Sequence, residues 1–142
     1  MSAAALQACL GLVHAYARLR RKLDDELGTL HGLSLGDFVL LEALSRADSV
    51  GLCAADLESP LGVQRSAVIR QVITLEKTGL LERSTGDHGR RSIQLRSPGR
   101  RLLQEATETA ELVCAAALAG HVQGVGANEY IRALCESPAL EL

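Results

Sequence analysis

The sequence predicts a mainly α fold with a small β component (α+β), on three observations. Apolar residues recur at intervals of three and four along most of the chain, which lays them on one side of successive helices. The alternation a strand needs is confined to residues 80–96. Aromatic residues make up 2% of the chain against 47% hydrophobic residues, so the core must be built from Leu, Ala, Val and Ile, as helical proteins commonly do. The 142 residues suffice for one domain, 1–142, with a sizeable core, and leave too little for a second.

Residues 3–30 form the first predicted helix, with Leu6, Leu10, Val13, Ala17, Leu19 or Arg20, Leu23, Leu27 and Leu30 at helical spacing. Basic residues 18–22 precede acidic residues 24–26, an order that permits ion pairs such as Arg21 with Asp25 and Lys22 with Glu26. So long a helix cannot bury its whole stripe within one small domain, and part of it is expected to meet a partner subunit. Ser34 caps a second helix, 35–47, which carries Phe38, Leu41 and Leu44 inward and has Asp37 on its dipole.

Residues 53–59 are a short helical segment with Ala54, Leu57 and Leu61 as its apolar positions, expected to stop at Pro60, which has no backbone N–H to donate. The chain turns through residues 61–63. In the next helix Val68, Val72 and Leu75 form one buried stripe, and Gln64, Arg65, Arg70 and Gln71 lie off it and face outward. Gly79 can take the left-handed conformation that ends a helix, so a stop near Lys77 or Thr78 follows. Residues 80–84 then read as a strand, 85–90 as a turn and 91–96 as a returning strand with Ile93 and Leu95 inward. Two helices joined by a tight Gly-containing turn and followed by a two-stranded ribbon make a winged helix-turn-helix, whose second helix fits the major groove of DNA.

Ser97 followed by Pro98 predicts a helix start, and the helix should run to about residue 120 with Leu102, Leu103, Ala106, Ala110 and Val113 inward. Residues 112–119 are apolar on every side, which a monomer's surface helix would not tolerate. Residues 120–127 break the pattern, and Asn128 is expected to cap a last helix to Cys135 bearing Tyr130, Ile131 and Leu134.

The order A-D-L, then L-G-V-Q-R-S-A-V-I-R-Q-V-I-T-L-E-K-T-G-L-L-E-R over residues 61–83, then a basic wing and S-P-G-R at 97–100, resembles the MarR family of bacterial transcriptional regulators. The likeness is dense over residues 32–106, and the flanking helices share it in pattern only. The wing is about two residues shorter than the family's usual tip, and Arg96 stands where a Thr is usual. The resemblance implies a winged helix-turn-helix core at 33–101, and dimerisation helices at 1–32 and 102–142 that interlock with a second subunit. It also implies a strand at residues 50–52 joining the wing, and an effector that changes the spacing of the two reading heads.

Charge distribution points the same way. Residues 62–101 hold nine Arg or Lys against three acids, and the rest of the chain six against fourteen, within an overall net charge of −2. A cationic face on an acidic body is the electrostatic footprint of a DNA-binding surface. Aromatic platforms for stacking single-stranded bases are missing. No apolar run approaches a membrane span, and residues 1–12 lack the basic start of a leader, so a cytoplasmic location without membrane contact is expected.

The expected function is a sequence-specific double-stranded DNA-binding regulator, a homodimeric repressor on an inverted-repeat operator. Gln64 and Arg65 are placed near bases, Arg70 near base or phosphate and Ser66 near phosphate; His88, Arg90 and Arg91 on the wing tip are placed in the minor groove. Arg83 and Asp87 are expected to pair across the hairpin and brace it. A small aromatic or lipophilic effector is expected between helices 1, 2 and 5, with His14 and Tyr16 as candidate lining residues. The alternatives are an oxidation sensor using Cys9, against which the lack of tyrosines on the second helix counts, and a winged-helix interaction module without DNA binding. The four cysteines show no C-x-x-C pair, and most are expected to be small core residues. The four histidines have no ligand spacing and no nucleophile motif or phosphate loop is present, so neither metal, cofactor nor enzyme activity is expected.

Overall fold

The computed structural model describes residues 2–119 and 125–141. Six helices and one hairpin follow in the order α1 (Ser2–His31), α2 (Leu35–Arg46), α3 (Ala54–Leu61), α4 (Arg65–Lys77), β1 (Leu81–Thr85), β2 (Arg91–Leu95), α5 (Ser97–Leu118) and α6 (Val125–Cys135). The fold is mainly α with a two-stranded antiparallel sheet, a winged helix-turn-helix between longer helices.

One apolar core joins these elements. Leu40, Leu41, Ala43 and Leu44 of α2 meet Leu57 of α3, Val68, Val72 and Leu75 of α4, and Leu81, Ile93 and Leu95 of the hairpin. Leu23 and Leu27 of α1 and Leu103, Ala106, Ala110 and Val113 of α5 belong to the same cluster. Each flanking helix also extends beyond the core: residues 3–18 of α1 and the last turn of α5, 115–118, are exposed. The stripe predicted along all of α1 is buried only at Leu23 and Leu27, because nothing in the single chain covers its first half.

Local chemistry sets the helix ends. Ser34 caps α2 in a full capping box: its hydroxyl accepts from the Asp37 N–H at 3.0 Å and the Asp37 carboxylate accepts from the Ser34 N–H at 3.1 Å. Asp24 of α1 adds a third ligand to this terminus, accepting from the Leu35 N–H at 2.6 Å. On α1, Lys22 pairs with Glu26 at 2.8 Å, and Arg20 rather than Arg21 reaches an acid, Asp24 at 3.6 Å.

Three expected boundaries move. Pro60 does not stop α3, which continues to Leu61; the Gly62 N–H closes the end on the Glu58 and Ser59 carbonyls from a left-handed φ of 64°. Losing one donor in the last turn costs little where the C-cap supplies another. Ser97 is not the cap of α5. The cap is Arg96, in extended conformation without a side-chain bond, because β2 runs directly into the helix and the Arg96 N–H is engaged by the Leu80 carbonyl at 3.0 Å. Asn128 lies inside α6, which opens at Val125, while residues 120–124 of the expected break lie outside the described residues.

The third strand of the wing is a single bridge. The Leu52 N–H donates to the Ile93 carbonyl at 3.1 Å and the Ile93 N–H to the Leu52 carbonyl at 2.7 Å. At the other side of the wing, Gly99 lets α5 start against β1: a Cβ built there would overlap the Leu80 carbonyl oxygen.

None of the four cysteines is buried, contrary to the expectation of a packing role for most of them. Cys9 and Cys135 are exposed and Cys53 and Cys114 half-buried. Cys9 and Cys135 belong to α1 and α6, whose outer faces the single chain leaves open.

Candidate nucleic-acid interface

α4 presents its apolar stripe to the core and its polar edge to solvent. With Val68, Val72 and Leu75 buried, Gln64 at the N-cap and Arg65, Ser66 and Arg70 on the helix are all exposed. Gln64 makes no side-chain cap bond, so its amide is free among the described residues to reach outward. The N–H groups of the first turn point in the same direction, a partly positive end suited to a phosphate.

Arg65 has a neighbour that residue spacing did not reveal. Its guanidinium lies 3.6 Å from Glu58 of α3, with both side chains well exposed. Such a pair is weak in water, and an incoming phosphate or guanine could exchange for the carboxylate at small cost. Gln71 departs from the expected outward orientation. It is half-buried, and its amide donates to Asp37 of α2 at 3.0 Å.

The wing runs antiparallel with Leu81 opposite Leu95, Arg83 opposite Ile93 and Thr85 opposite Arg91. At its tip Gly86 closes on the Arg90 carbonyl at 2.7 Å, and His88 and Gly89 both take left-handed conformations, φ 66° and 74°. His88 is the one non-glycine among the described residues with positive φ, so the tip is a tight knob that turns side chains outward. His88, Arg90 and Arg91 are exposed on it.

The expected Arg83–Asp87 brace does not form. Arg83 instead grips Glu76 in the last turns of α4: Nη2 is 2.8 Å and Nε 3.1 Å from Oε1, and the Arg83 N–H donates to Oε2 at 3.0 Å. Arg83 stands opposite Ile93, on the sheet face turned toward α4, whereas Asp87 lies beyond the strand in the tip turn. The guanidinium holds the Glu76 carboxyl below the usual carboxylate range, and Glu76 in turn holds Arg83 above its ordinary value. The hairpin is thereby tied to α4.

Between them lies a cleft of about 420 Å³, floored by Ala54, Val72 and Ile93 and walled by Ile69 and Glu76 on one side and Arg83, Ser84 and Arg91 on the other. Ile69 is an apolar residue exposed on the outer side of α4, a candidate that the stripe pattern left out. The signal was its position four residues after Arg65, which places it on that residue's side of the helix. Next to Ala54 in the cleft floor, Cys53 is the N-cap of α3. Its thiol and N–H both donate to Asp56 at 3.0 Å, and these bonds, helped by the charge of Arg90, hold that carboxyl below its usual range.

The residues assigned elsewhere stand apart from this face. Cys9 and His14 are exposed on α1. Tyr16 lines a groove of about 480 Å³ that runs along α1 alone, with Val13, Arg20 and Asp24. A second cleft of about 450 Å³ lies where Ser45 of α2 and Leu95 of β2 meet Leu103, Thr107 and Glu111 of α5. His31 bonds the Thr109 hydroxyl at 2.8 Å, pinning the end of α1 to α5. Among the described residues no group of His, Cys, Asp and Glu side chains could hold a metal ion, and no single helix is long and apolar enough to cross a membrane.

No family model and no curated protein matches the chain. Solved structures do. The transcriptional regulator BldR from Sulfolobus solfataricus is 27% identical, with 91% of this chain and 90% of that one covered and a TM-score of 0.80. A MarR-family protein of Mycobacterium tuberculosis, solved with salicylic acid, is 29% identical over 87% and 91% of the two chains, TM-score 0.66. The regulator MosR of the same organism, solved in complex with DNA, is 25% identical over 91% and 93%, TM-score 0.74. In architecture the chain is a winged helix-turn-helix similar to these transcriptional regulators, among them a MarR-family protein.

Proposed function

We propose that the protein is a sequence-specific double-stranded DNA-binding transcriptional regulator, acting as a homodimeric repressor that a small aromatic or lipophilic effector releases. The observation that carries this reading is the exposure of both the polar face of α4 and the basic wing tip, on two elements joined by the Glu76–Arg83 pair. Arg65 and Gln64 would meet bases in the major groove, Arg70 base or phosphate, Ser66 phosphate, and the wing's His88, Arg90 and Arg91 the minor groove. Ile69 is suited to the methyl group of a thymine. The similarity to MosR, solved on DNA, supports the same use of the fold.

The dimer is supported by apolar surface with no cover. Leu6, Leu10 and Val13 on α1, Leu112 on α5 and Tyr130 and Ile131 on α6 are all exposed, Leu112 at 75%. Exposed side chains of this size clustered on the terminal helices belong in an interface. In this reading residues 33–101 read DNA, and 1–32 with 102–142 join the subunits, so the operator is an inverted repeat with half-sites about one helical turn apart. The effector is supported by the salicylic acid in the M. tuberculosis relative. A regulator of this kind works in the cytoplasm.

Retention of the DNA upstream of the protein's own gene, at two salt concentrations, tests the reading. Retention should fall steeply with salt, since phosphate neutralisation supplies most of the binding energy. Charge reversal by Arg65→Glu and Arg90→Glu should abolish it; unchanged retention would favour an interaction module that uses another surface.

A further inference from the structure

α4 is held to the body by three buried aliphatic side chains, Val68, Val72 and Leu75. Apolar burial has no preferred direction, so it fixes how deep the helix sits more firmly than how far it is turned about its own axis. Exposed ion pairs hold its two ends, Arg65 to Glu58 and Glu76 to Arg83, and one part-buried polar contact holds its middle against turning. Gln71 Nε2 donates to Asp37 Oδ1 at 3.0 Å, joining the middle of α4 to the first turn of α2 across 34 residues of sequence.

Both partners are themselves constrained. The amide is half-buried with Gly36 against it, where an added Cβ would stand 3.5 Å from Nε2. The second Asp37 oxygen accepts from the Ser34 N–H at 3.1 Å, and the Asp37 N–H is held by the Ser34 hydroxyl at 3.0 Å. The adjoining Leu35 N–H is held by Asp24 of α1 at 2.6 Å. The acceptor is therefore fixed by the cap of its own helix, whose first turn α1 holds in turn through Asp24.

We infer that Asp37 and Gln71 are a positioning pair that sets the rotation of α4, and with it the direction in which Arg65 and Arg70 are presented to DNA. The inference rests on the DNA-binding reading above. Its leverage is geometric: turning a helix by about 20° sweeps an arginine head roughly 3 Å, the full length of a hydrogen bond. Base contacts would be lost by such a turn, while phosphate contacts, which tolerate displacement, would largely persist.

Three variants of the full chain separate positioning from stability. Gln71→Met keeps the length and removes the amide; Gln71→Glu sets a second carboxylate against Asp37. Ser34→Ala removes the hydroxyl cap and leaves both bonds to the Asp37 carboxylate intact. The probes are a DNA fragment selected by the wild-type protein from a random-sequence pool and an unrelated fragment of equal length, with Tm measured in parallel. Gln71→Met should lose about 3- to 10-fold in affinity for the selected fragment, the worth of one net hydrogen bond, and hold the unrelated fragment as before. Gln71→Glu should lose more on the selected fragment, while Ser34→Ala should lower Tm and leave selectivity alone. Wild-type selectivity in both Gln71 variants, or losses that follow Tm across all three, would overturn the inference and leave the regulator reading standing. A wild-type protein that selects no DNA would overturn both.

Discussion

Arg83 on β1 pairs with Glu76 on α4 at 2.8 Å, joining the wing to the last turns of that helix. Glu76 titrates below its usual range, so the contact stabilises the fold above the ordinary carboxylate pKa and is lost as pH falls through the depressed value; Arg83, shifted upward, stays charged throughout. Glu76→Gln should therefore lower Tm at about pH 7, and the gap to wild type should close as pH falls below the ordinary carboxylate range. Thermal melts of the two proteins across that range check it; a gap that widens in acid contradicts the pairing. Added salt should narrow the gap at neutral pH, because the pair is exposed.

Gly99 sits where α5 starts against β1, with the Leu80 carbonyl in the space a side chain would take. Gly99→Ala should destabilise by about 1–3 kcal/mol through overpacking, although alanine is the better helix former. Urea unfolding measures it, and a stabilised variant would mean that α5 can shift freely.

Leu57 is the one fully buried residue of α3 and anchors that helix beneath the reading helix. Leu57→Ala should cost about 2–5 kcal/mol, the range for deleting a large aliphatic side chain from a packed core. Equilibrium unfolding in urea gives the value, with an unchanged slope as the sign that only the native contact was lost.

Leu10 and Ile131 are exposed apolar residues on α1 and α6. Leu10→Glu and Ile131→Glu should convert a dimer into a folded monomer in sedimentation experiments and weaken retention of an inverted-repeat fragment. If the wild-type protein sediments as a monomer, the interface assignment fails.

Arg70 is exposed on α4, and no acid lies within ion-pair distance of it among the described residues. Arg70→Ala should reduce the salt dependence of DNA retention by about one phosphate equivalent if it meets the backbone, or relax selectivity at one base pair if it meets a base. Titrations at several salt concentrations distinguish these.

Much of the fold was legible in the sequence because the relevant signals are local. The stripe of Val68, Val72 and Leu75, the Ser34 cap, the stop at Lys77 before Gly79 and the hairpin with Ile93 and Leu95 inward each depend on residues within a few positions of one another. Periodicity and capping are properties of a short segment, and the segment carries them wherever it is placed. Exposure of Gln64, Arg65 and Arg70 followed from the same stripe.

What the sequence alone determined, then, was which segments are helical, which side of α4 and α5 is apolar, and where positive charge accumulates. Tertiary structure alone decided the polar partnerships: Arg83 with Glu76 instead of Asp87, Gln71 turned inward to Asp37, Arg65 beside Glu58, and Asp24 on the start of α2. It also decided that Cys9 and Cys135 lie exposed. The reason is physical: a hydrogen bond or ion pair forms between groups within a few ångströms in space, and that distance is set by how separate elements pack, which no local spacing encodes.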